Sequence, residues 1–196
     1  IEIEIPFNGT TVLVDLYKVN LFAEGFQIDT DKQKNIDYKK GVYYRGIVKG
    51  DYTSVATFNF FDNEVNGLFA NSTYANVIIG KTEINNPNSD YIIFADSKLK
   101  IDNEFNCGFK DDEQMKVNIA EPSNQRNAQS TRCVTMYFEI DNNLYTSNNN
   151  NTTQTTNWMT SVFNNVQTLY TNDGITVSLK SMFIWTSPDP YEGVGT

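Results

Sequence analysis

From residue 1 to about residue 100, apolar and polar positions alternate with a period of two, in short runs broken by turn formers. The clearest run is TVLVDLY (11–17), which places Val12, Val14 and Leu16 on one face. VYYRGIVKG (42–50), SVATFNFF (54–61), EVNGLFA (64–70), YANVIIG (74–80) and DYIIFAD (90–96) follow. Between them lie Gly50-Asp51, Asp62-Asn63, Asn71-Ser72 and the NNPNSD run at 85–90, all good turn formers. Successive strands joined by short connections favour an antiparallel meander. The pattern therefore predicts an all-β domain over residues 1–109.

Residues 110–132, KDDEQMKVNIAEPSNQRNAQSTR, have no strong hydrophobic period and read as a linker. Two isolated arginines, Arg126 and Arg132, stand there as candidate processing sites, because proteases cut exposed chain. A plain surface loop would have the same composition.

Beyond the linker the period changes. CVTMYFEID (133–141) predicts a strand, and NNLYTSNNNNTT (142–153) a polar loop that ends in capping residues, its NNNN run solvated. Trp158, Met159, Val162, Phe163, Val166, Leu169 and Tyr170 then form an apolar stripe at helical spacing, about five turns long. Gly174 stands at its C-terminal cap, and ITVSLKSMFIWT (175–186) predicts a second strand. Strand, helix, strand is a βαβ unit, with parallel strands and a right-handed crossover. One such unit cannot cover its own sheet, so residues 133–196 look like the opening of a larger α/β domain. The expected class is α+β, an antiparallel β domain followed by an incomplete α/β one. Trp158 and Trp185 are expected in the core. Glu139, Asp141, Asp62 and Glu64 are expected at surfaces or turns rather than as acid–base pairs.

Composition narrows the function. The chain has 196 residues, a net charge of −9 and 39% hydrophobic residues. It is long enough to bury roughly 70% of its unfolded surface. The acidic balance disfavours nucleic acid and anionic membranes as partners. No apolar run approaches the roughly 20 residues of a membrane span. The opening IEIEIPF lacks the sections of a signal peptide, so any such segment is expected to have been removed already. Abundant Asn, Thr, Asp and Tyr with scarce cysteine suit a secreted or cell-surface protein. There is no histidine, which removes Ser-His and Cys-His nucleophiles and every His-based zinc site from this chain.

The residues carry a more specific likeness. CVTMYFEIDNNLY, a polar loop, then NWMTSVFNNVQTLYTNDGITVSLKSMFIWTSPDPY resembles the first strand, helix and second strand of adamalysin (reprolysin)-type zinc metalloproteases, which are metzincins. Phe138, Glu139 and Asp141, then Asn165, Val166 and Leu169-Tyr170, then Ile184-Trp185-Thr186 carry it. VYYRGIVKGDYTSVATFNFFDNEVNGLFANSTYANVIIGK resembles that family's pro-segment. The likeness spans roughly residues 42–109 and 133–191 and is nearest to secreted bacterial members. It implies an inhibitory, folding-assisting pro-segment ahead of a catalytic domain whose zinc is held by an HExxHxxGxxH helix. That helix is absent from residues 1–196, so this chain should be inactive alone and should bind no zinc itself. The partners implied are the remainder of its own catalytic domain and, for the whole enzyme, protein or peptide substrates.

Cys107-Gly108 lies where the family's pro-segment often carries a Cys-Gly whose thiolate caps the zinc. A metal-free reactive thiol is disfavoured there, because Glu104, Asp111, Asp112 and Glu113 would raise its pKa. The rival is a Cys107–Cys133 disulfide. Two cysteines in an exported chain pair by default, and the 25 residues between them would close a loop worth about 3 kcal/mol. Cys133 could instead be a small buried hydrophobe. For the whole chain the rival reading is a non-enzymatic secreted binding or adhesion module that uses exposed Tyr and Asn.

Overall fold

The computed structural model describes residues 1–84, 86–100 and 133–191. In chain order the strands are β1 (Glu2–Phe7), β2 (Thr10–Val19), β3 (Phe22–Thr30), β4 (Val42–Val48) and β5 (Val55–Phe60). Then come β6 (Val65–Asn71), β7 (Ala75–Lys81), β8 (Tyr91–Ala95), β9 (Cys133–Ile140), the helices α1 (Asn142–Ser147) and α2 (Thr152–Asn172), and β10 (Thr176–Ile184). The whole is α+β, mainly antiparallel sheet.

Seven strands form one sheet in the order β1-β2-β4-β5-β6-β7-β8, with every neighbouring pair antiparallel. All six strands expected in the first hundred residues are there. Val12, Val14 and Leu16 share the buried face, as a period of two requires. The sheet curls, so that Phe7 at the β1–β2 turn packs edge-on against Phe69 of β6 and Tyr74 of the β6–β7 turn. This closes a first core of Ile5, Val12, Val14, Leu16, Phe58, Phe69 and Val77.

Two strands went unread in the sequence. β1 pairs with β2 through Asn8-Gly9, both at positive φ (50° and 75°), which is the backbone of a two-residue hairpin turn. β3 leaves the first sheet altogether. After Val19 the Asn20 side chain accepts from Phe22 N–H and donates to Phe22 C=O, turning the chain away. β3 then pairs in parallel with β10, giving a three-stranded sheet in the order β3-β10-β9. β9 and β10 are parallel neighbours, as a βαβ unit demands. The second core mixes both halves of the chain: Leu21, Ile28 and Tyr43 with Ile140, Phe163, Val177, Leu179, Met182 and Ile184.

The segment expected as a polar loop at 142–153 begins with α1, whose N-cap Asp141 accepts from Leu144 N–H at 2.7 Å. Asn148 is buried rather than solvated, donating to Leu144 C=O at 2.8 Å. Asn149 and Asn150 take left-handed backbone (φ 59° and 53°), which asparagine tolerates. Asn151 caps α2. At the other end Gly174 (φ 75°) closes a Schellman motif, with Ile175 N–H bonded to Tyr170 C=O and Gly174 N–H to Thr171 C=O.

The helix stripe needs correcting. Phe163 is fully buried, and Met159 and Val166 pack with it, but Trp158 is 43% and Leu169 60% exposed. The buried face of α2 carries Thr155, Thr156, Thr160, Asn164, Gln167 and Thr168 instead. α2 is packed between two layers, against β10 on one side and β5 of the first sheet on the other. Trp185 is half-buried and donates from Nε1 to Glu139 at 2.8 Å, so neither tryptophan is a plain core residue.

Gly46 is where β2 and β4 approach too closely for any side chain: a Cβ there would lie 1.8 Å from the Asp15 carbonyl oxygen. Gly46→Ala is expected to cost at least the usual overpacking penalty of about 1–3 kcal/mol, read as a lowered urea midpoint with an unchanged slope. An unaltered midpoint would show that the β2–β4 register is not as described.

Candidate functional site at the seam between the halves

The residues that join the leading sheet to the strand–helix–strand unit form the most elaborate polar arrangement in the fold. Five threonines of α2 lie on or beside its buried face, and each hydroxyl donates to the carbonyl four residues back. Thr155 bonds to Asn151 (2.9 Å), Thr156 to Thr152 (2.7 Å), Thr160 to Thr156 (2.8 Å), Thr168 to Asn164 (2.7 Å) and Thr171 to Gln167 (2.7 Å). Their hydrogen bonding is therefore satisfied within the helix.

The amides make the crossing contacts. Asn164 donates from Nδ2 to Tyr44 C=O (3.1 Å) and to Asn59 Oδ1 (2.8 Å). Gln167 donates to Asn20 C=O (3.4 Å) and Val177 C=O (2.6 Å), touching both sheets. Thr57 donates to Asn165, and Tyr38 to Asn157 at 3.0 Å. Burial raises the pKa of Tyr38 and Tyr43, so both phenols stay neutral.

Arg45 is a buried cation between α2 and the first sheet, 5% exposed. It donates to Gln167 Oε1 and to Thr171 Oγ1 (2.9 Å), on the last turns of α2. Among the described residues no carboxylate pairs with it. Burial pulls its pKa down while the Tyr17 hydroxyl opposes this. Its charge is offset by the negative end of the α2 dipole. Arg45 Nε and Asn164 Oδ1 are buried without a partner among the described residues.

Where β3 meets β10, Asp31 accepts from Thr186 N–H (2.8 Å) and Thr186 Oγ1 (2.6 Å), and Lys180 donates to Glu24 C=O (2.6 Å). On β9, Glu139 accepts from Trp185, Tyr137 (3.1 Å) and Tyr191. The Tyr191 bond leads in lowering its pKa, while desolvation and this carboxylate raise Tyr137 to about 12. Three donors make Glu139 an anchor for the chain after β10, in keeping with its expected surface role. Asp141 is a helix cap, Asp62 pairs with Lys39 (2.6 Å) and Glu64 accepts from Asn66 (2.8 Å).

Of the residues singled out in the sequence, Cys107, Arg126 and Arg132 lie outside the described residues. Cys133 is exposed rather than buried, at the start of β9, with its sulfur 3.2 Å from Ser178 Oγ. The seam itself was not foreseen. Its one sequence signal is a helix whose Thr, Asn and Gln recur at 156, 160, 164, 167, 168 and 171, a second face at helical spacing.

Residues 132–194 match the family described as Reprolysin (M12B) family zinc metalloprotease, so this part of the chain is similar to a reprolysin-type metalloprotease fragment. No curated protein matches the chain. The family uses zinc, but the described residues do not fit that ion. The chain has no histidine, and among the described residues no group of three or more Cys, Asp or Glu could hold a metal. No step of hydrolysis is assigned to them. Among the described residues no helix is long and apolar enough to cross a membrane.

Asp31 gives the seam a pH dependence. The hydrogen bond from the Thr186 side chain leads in depressing its folded pKa, so its contribution is present above the unfolded value of about 4 and is lost as pH falls toward the folded one. Stability of the wild type should decline below about pH 4, and Asp31→Asn should show a shallower decline and a lower midpoint at neutral pH. Parallel declines in urea titrations of the two proteins would remove Asp31 from the linkage.

Proposed function

We propose that this chain is the leading part of a secreted zinc metalloendopeptidase. Residues 1–109 act as a pro-segment that inhibits the enzyme and assists its folding. Residues 110–132 are the processing linker, and residues 133–196 open the catalytic domain. The observation that carries this reading is the family match over 132–194, which coincides with the β9–α2–β10 unit. The unit is folded against a separate antiparallel sheet built from the preceding residues.

The zinc-binding helix, with its general base, belongs to sequence outside this chain, and peptides are the substrate class. Trp158, Leu169 and Tyr170 on α2, with Val134 and Tyr137 on β9, expose apolar surface on the reprolysin-type unit itself. We assign these residues to contact with the remainder of the catalytic domain. A binding or adhesion module gives no account of the match at 132–194.

Cys107 has two roles open to it within this reading, thiolate cap for the zinc or bridge to Cys133. The exposed position of Cys133 leaves it accessible to a second thiol. Thiol counting on the denatured, unreduced chain separates them: two free thiols rule out the bridge, and none rules out the cap in this chain.

The function is tested on the enzyme expressed from the whole gene. It is expected to hydrolyse peptides after processing, to lose that activity to a zinc chelator and regain it with zinc. The Arg126→Ala/Arg132→Ala variant should remain uncut and at least 100-fold less active. A gene product without an HExxHxxGxxH segment sinks the proposal. Equal activation of the double variant removes Arg126 and Arg132 as processing sites.

A further inference from the structure

We propose that cutting the linker does not by itself release the leading hundred residues. They remain seated on the reprolysin-type unit as a non-covalent partner, with β3 held as a strand of the second sheet and Arg45 clamping the end of α2. This rests on the reading of those residues as a pro-segment.

Three independent sets of contacts argue for it. The first is strand addition. β3 occupies the outer edge of β10, with Phe22 opposite Leu179 and then Gln27 to Thr30 opposite Ser181 to Ile184, and Leu179 N–H bonds to Leu21 C=O at 2.8 Å. Removing β3 would open a sheet edge and strand its hydrogen-bonding groups. The second is apolar burial. Leu21 (0% exposed) and Ile28 (1%) complete the same core as Ile140, Phe163, Val177, Leu179, Met182 and Ile184. The third is the Arg45 clamp on Gln167 and Thr171, backed by Asn164 on Asn59 and Asp31 on Thr186.

The docking surface is therefore the β10 edge together with the polar face of α2, and its occupant is residues 1–100 of the same chain. The two regions differ in kind. The strand-and-core region resembles a domain interior cut in two, and the α2 face is a polar interface that water can replace. Release accordingly takes a second event that withdraws or destroys β3, after the linker is cut.

The test places a recognition sequence for a site-specific protease at positions 114–119 of the chain. The chain is cut to completion under reducing conditions and passed over a size-exclusion column with light scattering. Two fragments on a denaturing gel but one native species of the uncut mass, about 22.3 kDa, is the result expected. It should persist on dilution to about 1 μM. Arg45→Gln and Ile28→Ala, cut in the same way, should each raise the dissociation constant at least tenfold, read by dilution. Two separate fragments from the wild type would overturn the inference. So would unchanged dissociation in both variants. Assaying the cut full-length enzyme keeps the two readings apart: an intact complex with full peptidase activity refutes the inhibitory role and not the docking, while separated fragments that gain activity do the reverse.

Discussion

The fold depends on one departure, the passage of the chain at Asn20 from the last paired residue of β2 into a strand of the other sheet. β2 and β4 are neighbours in the first sheet, yet nine of the positions between Val19 and Val42 form β3 in the second. Because both ends of this excursion are pinned by β2 and β4, β3 leaves β10 only by bending the first sheet, by unravelling, or together with the whole leading segment. Leu21 and Ile28 then bury their side chains among residues from beyond position 133, each worth about 1.5–3 kcal/mol. The two cores are separate in composition but joined through this excursion.

The chemistry of the joint is uneven. Where β3 lies, the two halves are joined as tightly as the interior of a domain. Where α2 faces the first sheet, Thr, Asn and Gln fill the space that apolar residues would occupy in a permanent core. Threonines that bond their own helix lose little when a neighbour departs. Arg45 Nε and Asn164 Oδ1 pay a burial penalty that contact with water would relieve. A face built this way holds its partner in place by direction rather than by exclusion of water. It leaves no apolar scar once bare.

The sequence was most legible where one period dominated. Val12, Val14 and Leu16 alternate cleanly, and six strands of the first sheet follow from such runs. Gly174 announced the end of α2 because only a residue at home at positive φ can close that turn. β1 is less legible although Asn8-Gly9 is a strong hairpin signal, because IEIEIPF offers only a short alternating run. β3 could not be read in the same way. FAEGFQIDT interrupts alternation with Gly25, and its partner lies some 150 residues away in a parallel pairing that leaves no local turn to find. The stripe on α2 was read with the right period but too wide. Periodicity locates an apolar face; it does not say how far that face is covered, and Trp158 and Leu169 on its outer edge stay 43% and 60% exposed.

The parallel pairing of β3 with β10 also orders events in time. Bringing residues 22–30 to 176–184 closes a long loop, whose entropy must be supplied before the contacts repay it. While the chain is whole, that cost grows only with the logarithm of the loop length. Once the linker is cut in an unfolded chain, the same strand has to be captured from solution at whatever concentration the fragments happen to have. The same cut made after folding meets strands already paired. If residues 1–109 are the pro-segment proposed above, they serve their neighbour's sheet only when processing follows folding, and the parallel pairing of β3 with β10 favours that order.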